Sequence, residues 1–493
     1  MRGSGILLPI ASLPSKYGIG SFSKSAYDFI DCLKKSGQKY WQILPIGPTG
    51  YGDSPYQSFS TFAGNPYFID PDKLIEEGLL TLAECESYDF GDNERYIDYE
   101  KIYLSRFRLL RKAYERSDLS KNKEFITFQE KNAYWLEDYA LYMSIKDSFG
   151  GLSWIEWEEN IRLRKVDAML AYRIRLKNDI EFYKFIQYMF TKQWNAVKGY
   201  ANENGIKIIG DLPIYVAFDS ADTWSHPELF QLDEKQNPIA VAGCPPDAFS
   251  ATGQLWGNPL YRWEVHHVTK YEWWLSRISY CFRLYDSVRI DHFKGFDEYY
   301  SIPYGDETAV NGHWEKGPGY EMFHAINEKL GKLDIIAEDL GYITESTKEL
   351  LKMTGYPGMK VLEFAFDSRE ESDYLPHNYD KNCIVYTGTH DNETVKGWFD
   401  TINKNDRALA LAYLNRTERD TKNLTWDFIR LAQQSVAKLC IIPIQDYLAL
   451  GSEARINIPS TLGNNWKWRL LKNEINDELL KKIKDIVTLY GRG

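Results

Sequence analysis

The chain has 493 residues, 44% hydrophobic and 26% charged, which supplies a large core and excludes a disordered or fibrous protein. Its 59 basic and 70 acidic residues leave a net charge of -11, which argues against nucleic acid or an anionic membrane as a partner. A neutral or cationic substrate is easier to accommodate.

Residues 5–12 (GILLPIAS) predict a short buried strand, residues 27–35 a helix with Phe29, Ile30 and Leu33 on one stripe, and residues 40–46 (YWQILPI) a second strand. Strand, helix, strand in this order points to a parallel sheet. The opening apolar run is broken by Pro9, too short for a signal peptide. No run approaches the ~20 apolar residues that span a bilayer. The six cysteines lack C-x-x-C spacing and read as reduced thiols. The expectation is a soluble, cytoplasmic protein.

Residues 47–65 (GPTGYGDSPYQSFSTFAGN) form a loop too long for a connector, with Tyr51 and Tyr56 as a candidate aromatic platform. Residues 67–165 read as a helical insertion after the second strand, and an amphipathic helix over 179–202 returns to the sheet. The third strand, 206–216 (IKIIGDLPIYV), carries Asp211. A second insertion, 217–275, contains 244–259 (CPPDAFSATGQLWGNP), whose prolines and glycines read as loop chemistry around Trp256. A helix over 273–286 leads to the fourth strand, 287–293. The remaining strands are 333–340, 359–364, 383–387 and 439–444, mostly separated by helical patterns.

Eight buried strands alternating with helices predict a closed (β/α)₈ TIM barrel in a single catalytic unit, 1–493, with no separate C-terminal β-domain. A doubly wound open sheet is the alternative. No G-x-G-x-x-G or phosphate-cradling loop follows any strand, which disfavours nucleotide binding.

In such a barrel the active site lies at the C-terminal strand ends, where Asp211, Asp291, Glu338 and Asp391 fall. On the strand SVRIDHF, alternation puts Arg289 and Asp291 on one face. The guanidinium then holds the carboxylate ionised and aimed, as a nucleophile requires. A structural ion pair is the plainer reading of that motif taken alone. His292 and His390 beside two of the carboxylates raise a metal site, but sequence neighbours point opposite ways and no H-x-x-x-H spacing is present. Glycoside cleavage needs one ionised and one protonated carboxyl group, roles that suit Asp291 and Glu338. Spacing alone leaves Glu338 and Asp339 undecided. The 15 Trp, 35 Tyr and 24 Phe fit either core packing or sugar stacking.

VRIDHF, IIAEDLG and THDNET resemble three blocks of the α-amylase clan. With GYGDSPYQSFSTFAGNP, DLPIYV, PPDAFSATGQLWGNP and NIPSTLGNNWKWR, the chain resembles glycoside hydrolase family 77, the amylomaltase-type 4-α-glucanotransferases. The resemblance implies Asp291 as nucleophile, Glu338 as acid/base and Asp391 as the third carboxylate. It implies Arg289, His390, His292, Asp211, Ser54, Tyr51 and Tyr56 around the bound sugar, and Asp247, Gln254, Trp256 and Asn258 in the loop covering the acceptor side. Asn464 and Trp466 would shape the glucan groove. Pro459-Ser460-Thr461 departs from the Pro-Gly-Thr usual in the family. The implied reaction transfers α-1,4-glucan segments between maltooligosaccharides with retention, its two carboxyl groups ~5–5.5 Å apart, with no metal or organic cofactor. An α-glucan hydrolase on the same barrel and a non-catalytic glucan-binding protein are the alternatives.

Overall fold

The computed structural model describes residues 2–50, 52–119, 121–246 and 250–493. Its strands are β1 (Gly3–Leu7), β2 (Tyr40–Gln42), β3 (Lys207–Pro213), β4 (Ala240–Cys244), β5 (Gln254–Pro259), β6 (Ser287–Asp291), β7 (Glu298–Pro303), β8 (His313–Lys316), β9 (Ile335–Ala337), β10 (Gly358–Val361), β11 (Cys383–Tyr386) and β12 (Leu439–Pro443). Eight of them pair in parallel in the order β10-β11-β12-β1-β2-β3-β6-β9. The seam between β9 and β10 is bridged by the Ala337 N–H, which donates to the Pro357 carbonyl at 3.0 Å, and by the Met359 N–H, which donates to the Asp339 carboxylate at 2.6 Å. The result is the (β/α)₈ barrel that the eight buried runs predict.

Alternation along these strands divides the core in two. Leu7, Ile209, Ile336, Ile384, Tyr386 and Ile441 fill the barrel. Their neighbours Ile6, Ile208, Ile335, Val385 and Ile442 join the surrounding core, which includes Phe29, Ile30 and Leu33 of the helix Lys24–Lys35. Arg289 and Asp211 therefore stand on inward positions, flanked by outward Val288, Ile290 and Leu212. Gly210 lets Tyr285 press on β3 beside Asp211, since a Cβ there would lie 2.2 Å from that ring.

Between β2 and β3 run the helices Tyr99–Arg116, Lys123–Ser148, Val166–Arg175 and Lys177–Glu203. Lys123–Ser148 packs along Lys177–Glu203 through Tyr139 and Tyr183. The second helix anchors the tyrosine loop. Gln187 accepts from the Gly64 N–H at 2.7 Å and donates to the Gly64 carbonyl at 2.9 Å, while Gln193 accepts from the Asp70 N–H at 2.7 Å.

A second sheet, β5-β4-β7-β8, is antiparallel and lies beside the barrel mouth. Sequence reading missed it and took 244–259 for a loop. The correction is that Gln254, Trp256 and Asn258 sit on β5, where exposure alternates with Leu255 and Gly257 and Gly257 takes φ +76°. The turn residues that signal a loop instead allow an irregular edge strand. The segment after β12 adds the helix Asp477–Leu489, and no strand follows β12 among the described residues. Also among the described residues, no helix is long and apolar enough to cross a membrane.

Candidate active site

The β6–β9 ladder pairs Arg289 with Ile336 and Ile290 with Ala337, and it continues past both strand ends. The Glu338 N–H donates to the Ile290 carbonyl at 3.0 Å, and the Phe293 N–H donates to the Glu338 carbonyl at 3.0 Å. At His292 the chain turns through φ +52°, a left-handed conformation uncommon outside glycine. That turn aims the His292 N–H at Glu338 Oε2, 2.7 Å away, while the Leu340 N–H reaches Oε1 at 2.9 Å. Backbone thus fixes Glu338 one residue from Asp291. Asp339 faces the barrel seam, where its carboxylate takes the Met359 N–H.

Arg289, 3% exposed, forks between two carboxylates: Nη1 lies 2.5 Å from Asp211 Oδ2 and Nη2 lies 2.8 Å from Asp291 Oδ1. Register explains the fork, because Asp211 pairs directly with Arg289 across β3 and β6, and Asp291 is two residues on. Burial pushes the Asp211 carboxyl up against the pull of Arg289. Burial, then the charge of Asp291, raises Glu338 to about 7, against the weaker pull of Arg289 and the two backbone N–H groups. One carboxyl is thereby paired with a cation and its neighbour is poised to hold a proton at neutral pH.

A second run of contacts crosses the mouth. Tyr56 donates to Asp211 at 2.7 Å and lies 2.8 Å from His390 Nε2, whose ring it also stacks on at 5.2 Å. His390 Nε2 is in turn 3.2 Å from Asp391. Because Tyr56 gives its one proton to Asp211, it must accept from His390, so Nε2 carries a hydrogen. Burial raises the Asp391 carboxyl, but His390 and the Asn457 amide, at 2.6 Å, outweigh it and hold the group at about 2. On the opposite side Trp256 meets the His292 ring edge-to-face at 4.9 Å. Burial pushes that imidazole down to about 4, so it is neutral. Among the described residues, no group of three or more His, Cys, Asp or Glu is arranged to hold a metal ion.

A family model described as 4-alpha-glucanotransferase matches residues 8–474. The chain belongs to this family. It is 52% identical over 485 residues to the 4-alpha-glucanotransferase of Clostridium butyricum, covering 98% of this chain and 99% of the relative. It is 46% identical over 486 residues to that of Thermus thermophilus, covering 97% and 96%. The amylomaltase from Streptococcus agalactiae, solved in complex with acarbose, superposes with a TM-score of 0.97 at 42% identity over all of both chains.

The remaining predicted residues are placed differently from one another. Asn258 is buried and holds the tyrosine loop to the segment just after β3, since its amide donates to the Val216 carbonyl at 2.8 Å and accepts from Gln57 at 3.2 Å. Gln254 accepts from the Trp256 indole at 3.1 Å, Ser54 accepts from the Tyr56 N–H at 3.3 Å, and Trp466 lies 5.9 Å from the Tyr56 ring. Asn464 is exposed, whereas its neighbour Asn465 is buried and bonded to Ile458 and Thr461. Tyr51 and Asp247 lie outside the described residues. Sequence reasoning missed Asn457 and Arg455, which hold Asp391 by side chain and, at 2.8 Å, by its carbonyl. The only signal was that Asn457 opens the block NIPSTLGNNWKWR.

Proposed function

We propose that the chain is a 4-α-glucanotransferase that moves α-1,4-glucan segments between maltooligosaccharides by a retaining double displacement. The observation that carries the reading is the pairing of a guanidinium-held Asp291 with a backbone-held Glu338 whose proton is retained to about pH 7. Asp291 attacks the anomeric carbon as the bond to the departing glycosidic oxygen breaks, and Glu338 gives that oxygen its proton. The acceptor's 4-hydroxyl then returns a proton to Glu338 as its oxygen displaces Asp291 from the anomeric carbon. Asp391, held charged beside His390, grips hydroxyls of the distorting ring. Tyr56 and Trp466 give the sugar an aromatic wall.

Transfer prevails over hydrolysis only when the covalent intermediate meets a sugar hydroxyl before water. The loop 47–65 and strand β5 with Trp256 are the elements that shut water out. They form one unit through Gln57 and Asn258. The helical segment 67–165 and the segment 217–275, which carries β5, serve as scaffolds for these covers. We place the enzyme in the cytoplasm, where its thiols Cys32, Cys85, Cys281, Cys383 and Cys440 would stay reduced.

Incubation of the purified protein with maltotriose tests the reading. It should yield glucose and a ladder of longer maltodextrins with little net gain in reducing ends. Glucose and maltose with rising reducing ends and no ladder would make it a hydrolase. The pH dependence follows from Glu338. Because the first step needs its proton, kcat/KM should fall about tenfold per pH unit above about 7. An alkaline limb lying below pH 6 would contradict Glu338 as the acid.

A further inference from the structure

Behind the loop that carries Asp391 lies a small cleft lined by Thr389, Glu393, Gln445, Asp446 and Arg455. Next to it stands Glu363, on the single turn Leu362–Phe364 that follows β10, and it belongs to none of the site described above. Three carboxyl groups, from Glu363, Glu393 and Asp446, meet here. Two are committed to the 387–395 loop. Asp446 accepts from the Thr387 hydroxyl at 2.6 Å and from the Val395 N–H at 2.9 Å. Glu393 faces Arg455 at 3.4 Å, and the same arginine holds the Asp391 carbonyl at 2.8 Å. Glu363 touches the start of the loop. Its own N–H donates to the Thr387 carbonyl at 3.2 Å, and Oε1 sits against Gly388, where a Cβ would lie 2.6 Å from it. Yet Oε1 is buried and meets no donor, and the buried Gln445 Oε1 beside the cleft meets none either.

We propose that Glu363 is a positioning residue for Asp391, acting as an uncharged carboxylic acid that packs the Gly388 turn and closes an oxygen-lined nest behind the 387–395 loop. The charge count requires it. Three ionised carboxylates would face the single cation Arg455, and a bare buried carboxylate oxygen without a donor is the costliest arrangement available. A proton on Glu363 turns one of the two orphaned acceptors into a donor and leaves Asp446, Glu393 and Arg455 to hold the backbone. Burial, then the charges of Asp446 and Glu393, push the Glu363 carboxyl well above the usual range, against the pulls of Arg455 and of the Glu393 backbone N–H. A group whose folded value is raised stabilises the fold below its ordinary value near 4.5 and loses that contribution as pH rises toward the folded one.

The inference rests on Asp391 being required, so Asp391→Asn is measured in parallel with Glu363→Leu and Glu363→Gln on maltotriose. Glu363→Leu, which keeps the volume but not the contacts, should lower kcat about 10- to 100-fold with KM changed less than about threefold, as expected for a contact that matters mainly in the transition state. Glu363→Gln, an uncharged isostere, should restore kcat to within about threefold. The melting temperature of Glu363→Gln relative to the parent should climb by a few degrees between about pH 5 and pH 8. A folded Glu363→Leu enzyme with parental kcat overturns the proposal. So does a Glu363→Gln enzyme as impaired as Glu363→Leu, or one whose melting offset is flat with pH, and this last measurement decides even where Glu363→Leu fails to fold. An active Asp391→Asn enzyme would instead overturn the role of Asp391 itself.

Discussion

Asp291→Asn should lower the transfer rate on maltotriose on the order of 10⁴-fold or more while leaving the fold intact. The amide is isosteric but cannot form the glycosyl ester on which the reaction turns. The fold should tolerate it because Asp291 is the partly open member of its cluster: its side chain is 28% exposed, whereas Asp211 remains at 0% to satisfy Arg289. Circular dichroism and a melting curve superimposable on the parent's, together with lost glucose release, complete the test. A variant within tenfold of the parent would move the nucleophile elsewhere.

The second large effect is structural. Arg289→Leu leaves Asp211 and Asp291 facing each other across a buried wall with their shared cation gone. Breaking a buried pair in this way costs about 3–5 kcal/mol, because Asp211 is left fully buried without its cation. The loss should be smaller near pH 5 than near pH 8. Without the arginine both carboxyl groups are raised in the folded state, so protonation relieves the fold and ionisation strains it. Urea unfolding at the two pH values reads the difference, and activity should be lost at both. A variant whose stability is equal at the two pH values would mean that Arg289 does not hold the cluster together. Arg289→Lys keeps a charge but not the fork, and should fall between the two.

The barrel was legible because its strands are short apolar runs hidden on both faces, a pattern that length and flanking turn residues separate from helix. What the runs could not give was their ends. The predicted 40–46 strand stops at Gln42 and 333–340 begins at Ile335, because apolar residues continue into buried turns after the ladder has ended. The second sheet was illegible for the opposite reason. β8 is largely exposed and β5 contains Gly257 and Pro259, so neither shows the alternation or the apolar content that announces a strand. In the site, Arg289 and Asp291 could be paired from period two alone, and the structure adds Asp211 through register. The link from Tyr56 to His390 had to come from family resemblance, since 334 residues separate them. Beyond the family block that Asn457 opens, nothing local links Asn457 or Arg455 to Asp391, because they reach it only when the chain returns after β12.

The two carboxyl groups assigned to the reaction, Asp291 and Glu338, are fixed by the continued hydrogen-bond ladder of β6 and β9. The segments proposed to keep water away are held by other means. The tyrosine loop hangs from side-chain clamps at Gln187, Asn258 and Asp222, and Trp256 rides on an edge strand. The power to cleave and the choice of what receives the cleaved chain are therefore built on parts of unequal rigidity. As the protein is warmed or loosened, its fidelity to sugar acceptors should erode before its ability to break the bond, and the first symptom of a softened enzyme would be a transferase that has begun to leak into hydrolysis.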